Sequence, residues 1–402
     1  MKLRKMKVIG IICEYNPFHL GHAGHIEKTI NAVNDDCAVV CVMSGNFVQR
    51  GDLAVFNKHA RAEVAVRCGA DLVVELSVPY VLSSAEGFAR AGVHILNSMG
   101  LCDFLSFGSE SGDVEPLARV AEVLISEEAG AVTRKMLDNG LSYAAARQKA
   151  VDEILGSFSK VLTSPNNLLG IEYIIALMLS GSEIKPLTVS RTGGDHDGES
   201  PYAASALRKY LVNNNSLWKE FVPTPSLEVL NNEIRAGRGP VSVKQCESAI
   251  LSRLRLYDNY GNLAGVSEGL EYRFKKYAVR EPTIESILEK TKSKRYVMSR
   301  LRRMMLNVSL DITDNYIKNP PPYIRVLAMN GKGMKLLRKM QKSCSLPIIT
   351  KPASVLKFDG FAIDMFNKEA AATDLYVLGY QNEDERYGGR EWLQSPSVFN
   401  NL

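Results

Sequence analysis

No stretch of the 402-residue chain approaches the roughly 18 uninterrupted apolar residues that a membrane-crossing helix needs. Cysteine is sparse: seven residues, an odd number, with no CxxC pair among them. That excludes the usual zinc-knuckle spacings and argues against a disulfide framework. Apolar surroundings such as those of Cys41 and Cys68 read as reduced thiols in a cytoplasmic protein. Internal repeats and low-complexity tracts are also missing. The opening Lys2-Leu3-Arg4-Lys5-Met6-Lys7 followed by Val8–Ile12 imitates a secretion signal. Its apolar run is too short, and Glu14, Tyr15, Asn16 and Pro17 follow where small residues would mark cleavage, so a buried strand is expected instead. What is present is ordinary for a folded soluble protein, with 46% hydrophobic and 23% charged residues. The length suggests two domains.

Charge is unevenly placed. Residues 1–130 hold 11 Lys and Arg against 16 Asp and Glu, whereas residues 271–303 hold 11 against 4. Residues 321–342 hold 6 basic residues and no acid. A basic second half fits a polyanionic partner, although basic helices also occur as plain solvated faces.

Short Val/Ile/Leu-rich runs alternate with helical patterns in the first half. Strands are expected at Lys7–Glu14, Cys37–Met43, Asp71–Leu76, Asp103–Phe107 and Ile184–Ser190. Their continuous rather than alternating hydrophobicity is that of parallel strands buried on both faces. Helices are expected from Ser83-Ser84-Ala85-Glu86, a capping-box pattern, and after Ser164-Pro165-Asn166-Asn167. The pattern is an α/β doubly wound parallel sheet, whose ligands bind beyond the carboxyl ends of the strands. Turn residues at 213–216 and 223–226 suggest a boundary, giving a catalytic unit over 1–215 and a basic, mainly helical region over 216–402. The pattern from 240 to 312 is helical, and from 320 onward it is mixed.

The segment Glu14-Tyr15-Asn16-Pro17-Phe18-His19-Leu20-Gly21-His22 directly follows the first strand. A turn through Pro17 reverses the chain, and a helix begins near His19–Gly21. A helix N-terminus offers unpaired backbone N–H groups and partial positive charge to a phosphate. Two histidines three residues apart share one face of the first turn, and each can donate to phosphate oxygens. Gly21 between them leaves the backbone open to a base or ribose. His19, His22 and His25 together have a metal-like spacing, but each step of three turns the helix by about 300°, so the outer pair diverges. No metal site is expected. Lys58 and Arg61 read either as phosphate ligands or as a solvated helix face.

The stretch His19-Leu20-Gly21-His22 resembles the HIGH signature of nucleotidyltransferases and class I aminoacyl-tRNA synthetases. Further segments narrow the likeness: Met43-Ser44-Gly45-Asn46-Phe47-Val48-Gln49-Arg50-Gly51, Gly69–Leu76, Phe107-Gly108-Ser109-Glu110, Pro165–Tyr173, Arg191 with His196-Asp197, Tyr202–Arg208, and Lys292-Ser293-Lys294-Arg295-Tyr296. Together, in order over residues 7 to about 330, they resemble the bacterial tRNA(Met) cytidine acetate ligase family.

That resemblance implies a Rossmann-like fold and an enzyme that activates acetate with ATP and Mg²⁺ to acetyl-adenylate. The acetyl group would then pass to N4 of the wobble cytidine, position 34, in elongator tRNA(Met). It implies an ATP site made of Ile12, Cys13, Glu14, Tyr15, Asn16, Pro17, Phe18, His19, Leu20, Gly21, His22, Ala23, Gly24 and His25, with Gly108, Asn167 and Arg191. His19 and His22 would be catalytic. Ser205 and Arg208, a serine at a helix start with an arginine one turn on, resemble the second phosphate-contacting segment of nucleotidyltransferases. Each has a plainer alternative: Gly108 a turn glycine just past a strand end, Asn167 an N-cap, Arg191 a surface ion pair. Lys292, Lys294, Arg295, Arg300, Arg302 and Arg303 are read as tRNA-backbone contacts, with Tyr296 stacking on an unpaired base. The alternative is a solvated basic helix packed through Met298, Leu301, Met305 and Leu306. A small-molecule adenylyltransferase and a nucleotide-sensing RNA-binding protein are the competing functions. No residue presents itself as the base for the second step.

Overall fold

Ten strands form in the computed structural model, which describes residues 6–156, 161–162, 164–190, 203–266 and 269–400. They are β1 (Lys7–Cys13), β2 (Cys37–Ser44), β3 (Phe47–Val48), β4 (Asp52–Leu53), β5 (Leu72–Leu76), β6 (Phe104–Ser109), β7 (Lys185–Ser190), β8 (Ile324–Asn330), β9 (Ile348–Ile349) and β10 (Ser397–Phe399). The main sheet runs β10-β8-β5-β2-β1-β6-β7, with β9 beside β8. Every pairing in it is parallel except β5 with β8. The five strands expected from the first half are all present within a residue or two of their predicted ends.

Their residues sort by parity. Val40 and Val42 of β2 face one core layer with Val74 of β5, Leu96 of helix Ala85–Met99 and Ile171 of helix Pro165–Leu179. Val39, Cys41 and Met43 face the other, with Ile26 of helix Leu20–Val33 and Ala62 and Val66 of helix Lys58–Arg67. This is the two-sided burial that a continuous Val/Ile run requires. The β3–β4 hairpin lies outside the sheet and packs through Phe47 and Leu53 into a separate core. That core is built on Ile250, Phe274, Ile287, Leu301 and Met305 of the helices between residues 247 and 310.

Parts of the sheet come from the far end of the chain. β8, β9 and β10 extend it past β5, so the mixed pattern after residue 320 is strand and helix wrapped onto the first half. The junction is ionic and buried. Lys58 Nζ lies 2.6 Å from Glu75 Oε1 on β5 and 2.6 Å from Glu391 Oε1, and Arg325 on β8 pairs with Glu391 as well. Lys58 and Arg61 are each only 1% exposed, so the solvated-face reading of both is wrong. The two arginine and lysine side chains brace the interior instead.

Candidate active site

β1 ends at Cys13, and the chain turns through Glu14–Phe18 into helix Leu20–Val33. Tyr15 sits in the left-handed region, with φ +48°, a strained choice for a side chain other than glycine. Three contacts hold the turn there. Arg61 donates to the Glu14 carbonyl and also to the Gly45 carbonyl beyond β2. Arg208 Nη1 donates to the Asn16 carbonyl at 2.9 Å. Asn16 Oδ1 accepts from the Val55 N–H at 2.8 Å. Strain that is over-determined in this way clusters at functional sites.

His19 caps the helix. Its Nδ1 accepts from the Gly21 N–H at 3.1 Å, while His22 Nδ1 accepts from the His19 N–H at 3.3 Å. The two rings lie against each other at a tilt of 31°, with centroids 3.8 Å apart. Tyr15 and Phe18 pack against His22 at 4.9 Å and 5.5 Å. An imidazole accepting through Nδ1 carries its proton on Nε2 when neutral. Both rings are thereby set as Nε2–H donors at a helix N-terminus, where an anion is favoured twice over. His25 diverges from the pair, its Nε2 lying 3.2 Å from Ser106 Oγ. Gly21 has a sharper reason than expected. A Cβ there would sit 2.9 Å from His19 Cε1, so glycine is what lets the capping ring stay in place.

The remaining predicted residues fall as follows. Gly108 is inside β6, opposite Val189 of β7, not beyond a strand end. Asn167 is the third residue of helix Pro165–Leu179, whose N-cap position is Ser164. The N-cap reading of Asn167 is therefore wrong; its Oδ1 accepts from the Glu110 N–H at 3.3 Å and ties the helix to the end of β6. Both stand at the carboxyl edge that carries the β1 turn. Ser205 is the second residue of helix Ala204–Val212, with Arg208 one turn on. Arg191 lies outside the described residues.

The basic segment divides. Lys292, Lys294 and Arg295 are exposed on the turn between helices Ile284–Thr291 and Met298–Leu310, and Arg302 is exposed on the second helix. Tyr296 is only 8% exposed and belongs to the helical core, so it has no face for a base; Arg300 lies over its ring, 5.6 Å from the centroid. Leu301, Met305 and Leu306 are buried as expected. Arg303 is half-buried and turns inward, its Nη1 3.4 Å from the Gln49 carbonyl. Gln49 lies within the Met43–Gly51 motif, but its role shows only in the fold. Its N–H donates to Glu14 Oε1 at 2.6 Å, so the backbone of one residue links the basic helix to the β1 turn.

A doubly wound sheet with an HxGH segment capping the helix after the first strand defines a HIGH-type nucleotidyltransferase. A family model described as HIGH Nucleotidyl Transferase matches residues 6–391. A tRNA(Met) cytidine acetate ligase of Acetivibrio thermocellus is 39% identical, over 97% of this chain and 99% of its own length. One of Caldanaerobacter subterraneus is 39% identical over 94% and 96%. The crystal structure of Thermotoga maritima TmcAL bound with alpha-thio ATP superposes with a TM-score of 0.92 at 33% identity, covering 98% of this chain and all of that one. The chain belongs to the bacterial tRNA(Met) cytidine acetate ligase family.

Proposed function

We propose that this protein is an ATP-dependent ligase that modifies tRNA in the cytoplasm: it activates acetate as acetyl-adenylate and transfers the acetyl group to N4 of the wobble cytidine, position 34, of elongator tRNA(Met). The observation that carries the reading is the pair of adjoining imidazoles, both locked as Nε2–H donors, at the N-terminus of helix Leu20–Val33. ATP is assigned to the turn Ile12–His25 with Gly108, Asn167, Arg191, Ser205 and Arg208. It enters as its Mg²⁺ complex. Among the described residues no three His, Cys, Asp or Glu side chains gather into a metal-binding group, so the phosphates themselves are assigned as the ion's main ligands, as is common for nucleotide-bound Mg²⁺.

Acetate is already an anion at neutral pH and needs no base to attack the α-phosphorus. The first step is then positioning plus stabilisation of charge on the phosphate oxygens. His19 and His22 supply two donors to them, and Arg208 adds positive charge at the turn. Pyrophosphate leaves. tRNA is assigned to the exposed cations Lys292, Lys294, Arg295 and Arg302, with Arg300 and Arg303 behind them. The test is mass spectrometry of an elongator tRNA(Met) transcript after incubation with protein, ATP and isotopically labelled acetate. One labelled acetyl group on the anticodon fragment is expected. A strict requirement for acetyl-coenzyme A would overturn the reading.

A further inference from the structure

The second half-reaction needs a group that takes the proton of the attacking amine. The paired imidazoles cannot do so, since each already carries its proton on Nε2 and accepts a backbone N–H at Nδ1. His25 is bonded to Ser106. Burial keeps the Cys13 thiol protonated. Lys58 is enclosed by Glu75, Glu391 and Glu369.

Glu14 is placed differently. It opens the turn that leads to His19, so it stands at the carboxyl edge of the sheet with the proposed nucleotide site. Its Oε1 is fixed by the Gln49 N–H at 2.6 Å, and the carbonyl of the same residue is reached by Arg303. The carboxylate is therefore two hydrogen bonds from the basic helix. Gly51 makes this closeness possible: a Cβ there would lie 2.5 Å from the Arg303 backbone nitrogen. One carboxylate thus borders both the place assigned to the adenylate and the surface assigned to tRNA.

Resting on the acetate–tRNA reading above, we propose that Glu14 is the general base of acetyl transfer. As the N4–carbonyl bond forms and the acyl–phosphate bond breaks, AMP leaves and the N4 proton passes to the second oxygen of Glu14, then to water. Burial raises the affinity of the carboxyl for protons, opposed by the Gln49 N–H and by Arg61, Arg208 and Arg50. Tyr173 of helix Pro165–Leu179 also lies near it, held neutral by burial. A carboxyl whose proton affinity is raised in this way is a better proton acceptor than an ordinary glutamate.

Enzyme preloaded with ATP and labelled acetate is mixed with tRNA(Met) transcript in rapid-quench experiments across pH 5.5 to 9, beside acetate-dependent ATP–pyrophosphate exchange without tRNA. In wild type, transfer slows toward acid pH. Glu14→Gln, which keeps an acceptor for Gln49, should slow transfer by about 10²–10⁴-fold and flatten the acid limb; exchange, which draws on the same turn to hold ATP, should also fall, but by less than transfer. Glu14→Asp should keep the limb at reduced rate, and it provides the reading if the glutamine variant fails to fold. Transfer within a few-fold of wild type, equal losses in both steps, or a limb that instead disappears in Asp52→Asn would overturn the assignment. Absence of exchange in wild type is a separate result, which removes the acetate reading and this one with it.

Discussion

At the scale of single residues, the candidate site is organised by the way two imidazoles accept backbone N–H groups. His22→Ala leaves the His19 N–H without its side-chain acceptor and removes one donor. Acetate-dependent pyrophosphate exchange should fall by about 10²–10³-fold, with thermal unfolding little changed because His22 is only partly buried. Gly21→Ala separates geometry from stability. Alanine is the better helix former, but its Cβ would push the His19 ring. The expected outcome is a melting temperature at or above wild type and exchange reduced by about 10²-fold. A second residue-scale effect concerns acid stability. Burial, then Lys58 and Arg325, lowers the His59 pKa to about 3. Below pH 6.5 the unfolded chain binds a proton there that the folded protein refuses, so this group's effect is to lower stability as pH falls from 6.5 toward 3. The drop in melting temperature between pH 6.5 and 4 should be smaller in His59→Gln than in wild type.

Among elements, the β3–β4 hairpin and helix Met298–Leu310 form the seam on which the proposed coupling depends. Gly51 has φ +77°, and its Cβ would meet the Arg302 and Arg303 backbone at 2.5–2.7 Å. Backbone cannot yield as a side chain can. Gly51→Ala should therefore destabilise by about 2–4 kcal/mol in urea titrations. On the outer side of the same helix pair, Lys294→Glu with Arg295→Glu should weaken tRNA binding and lower its log–log salt slope by about one per lost phosphate contact. Exchange without tRNA should persist. Unaltered tRNA affinity would leave the segment a solvated face. Tyr296 shows why composition misleads at this scale: a tyrosine beside four cations reads as a stacking platform, yet its turn carries it into the helical core.

For the molecule as a whole, the first half and the last eighty residues are bound by a buried ionic group. Lys58, Glu75, Glu369, Glu391 and Arg325 come from five separate elements and are almost fully enclosed. Removing one partner from such a group leaves uncompensated charge in the interior. Lys58→Met should cost about 3–5 kcal/mol, read as a lower denaturant midpoint. The antiparallel pairing of the main sheet, β5 with β8, lies at this junction.

The amino-acid pattern alone was enough for the parallel strands of the first half, because burial on both faces demands unbroken β-branched runs. It was also enough for the HxGH helix start, because strand, turn and cap are contiguous. Contacts between distant segments were decided by tertiary structure. The run Lys58–Arg67 carries charges at spacings that suit a solvated helix, and nothing local shows that Glu391 will meet Lys58 from 333 residues away. Likewise Glu14 and Gln49 are unremarkable within their own segments. Only the packing of the hairpin against the basic helix joins a carboxylate, the backbone of Gln49 and a guanidinium into one line. Local physics writes the elements, while the pairing of buried charges and hydrogen-bonding groups across the fold fixes which of them meet.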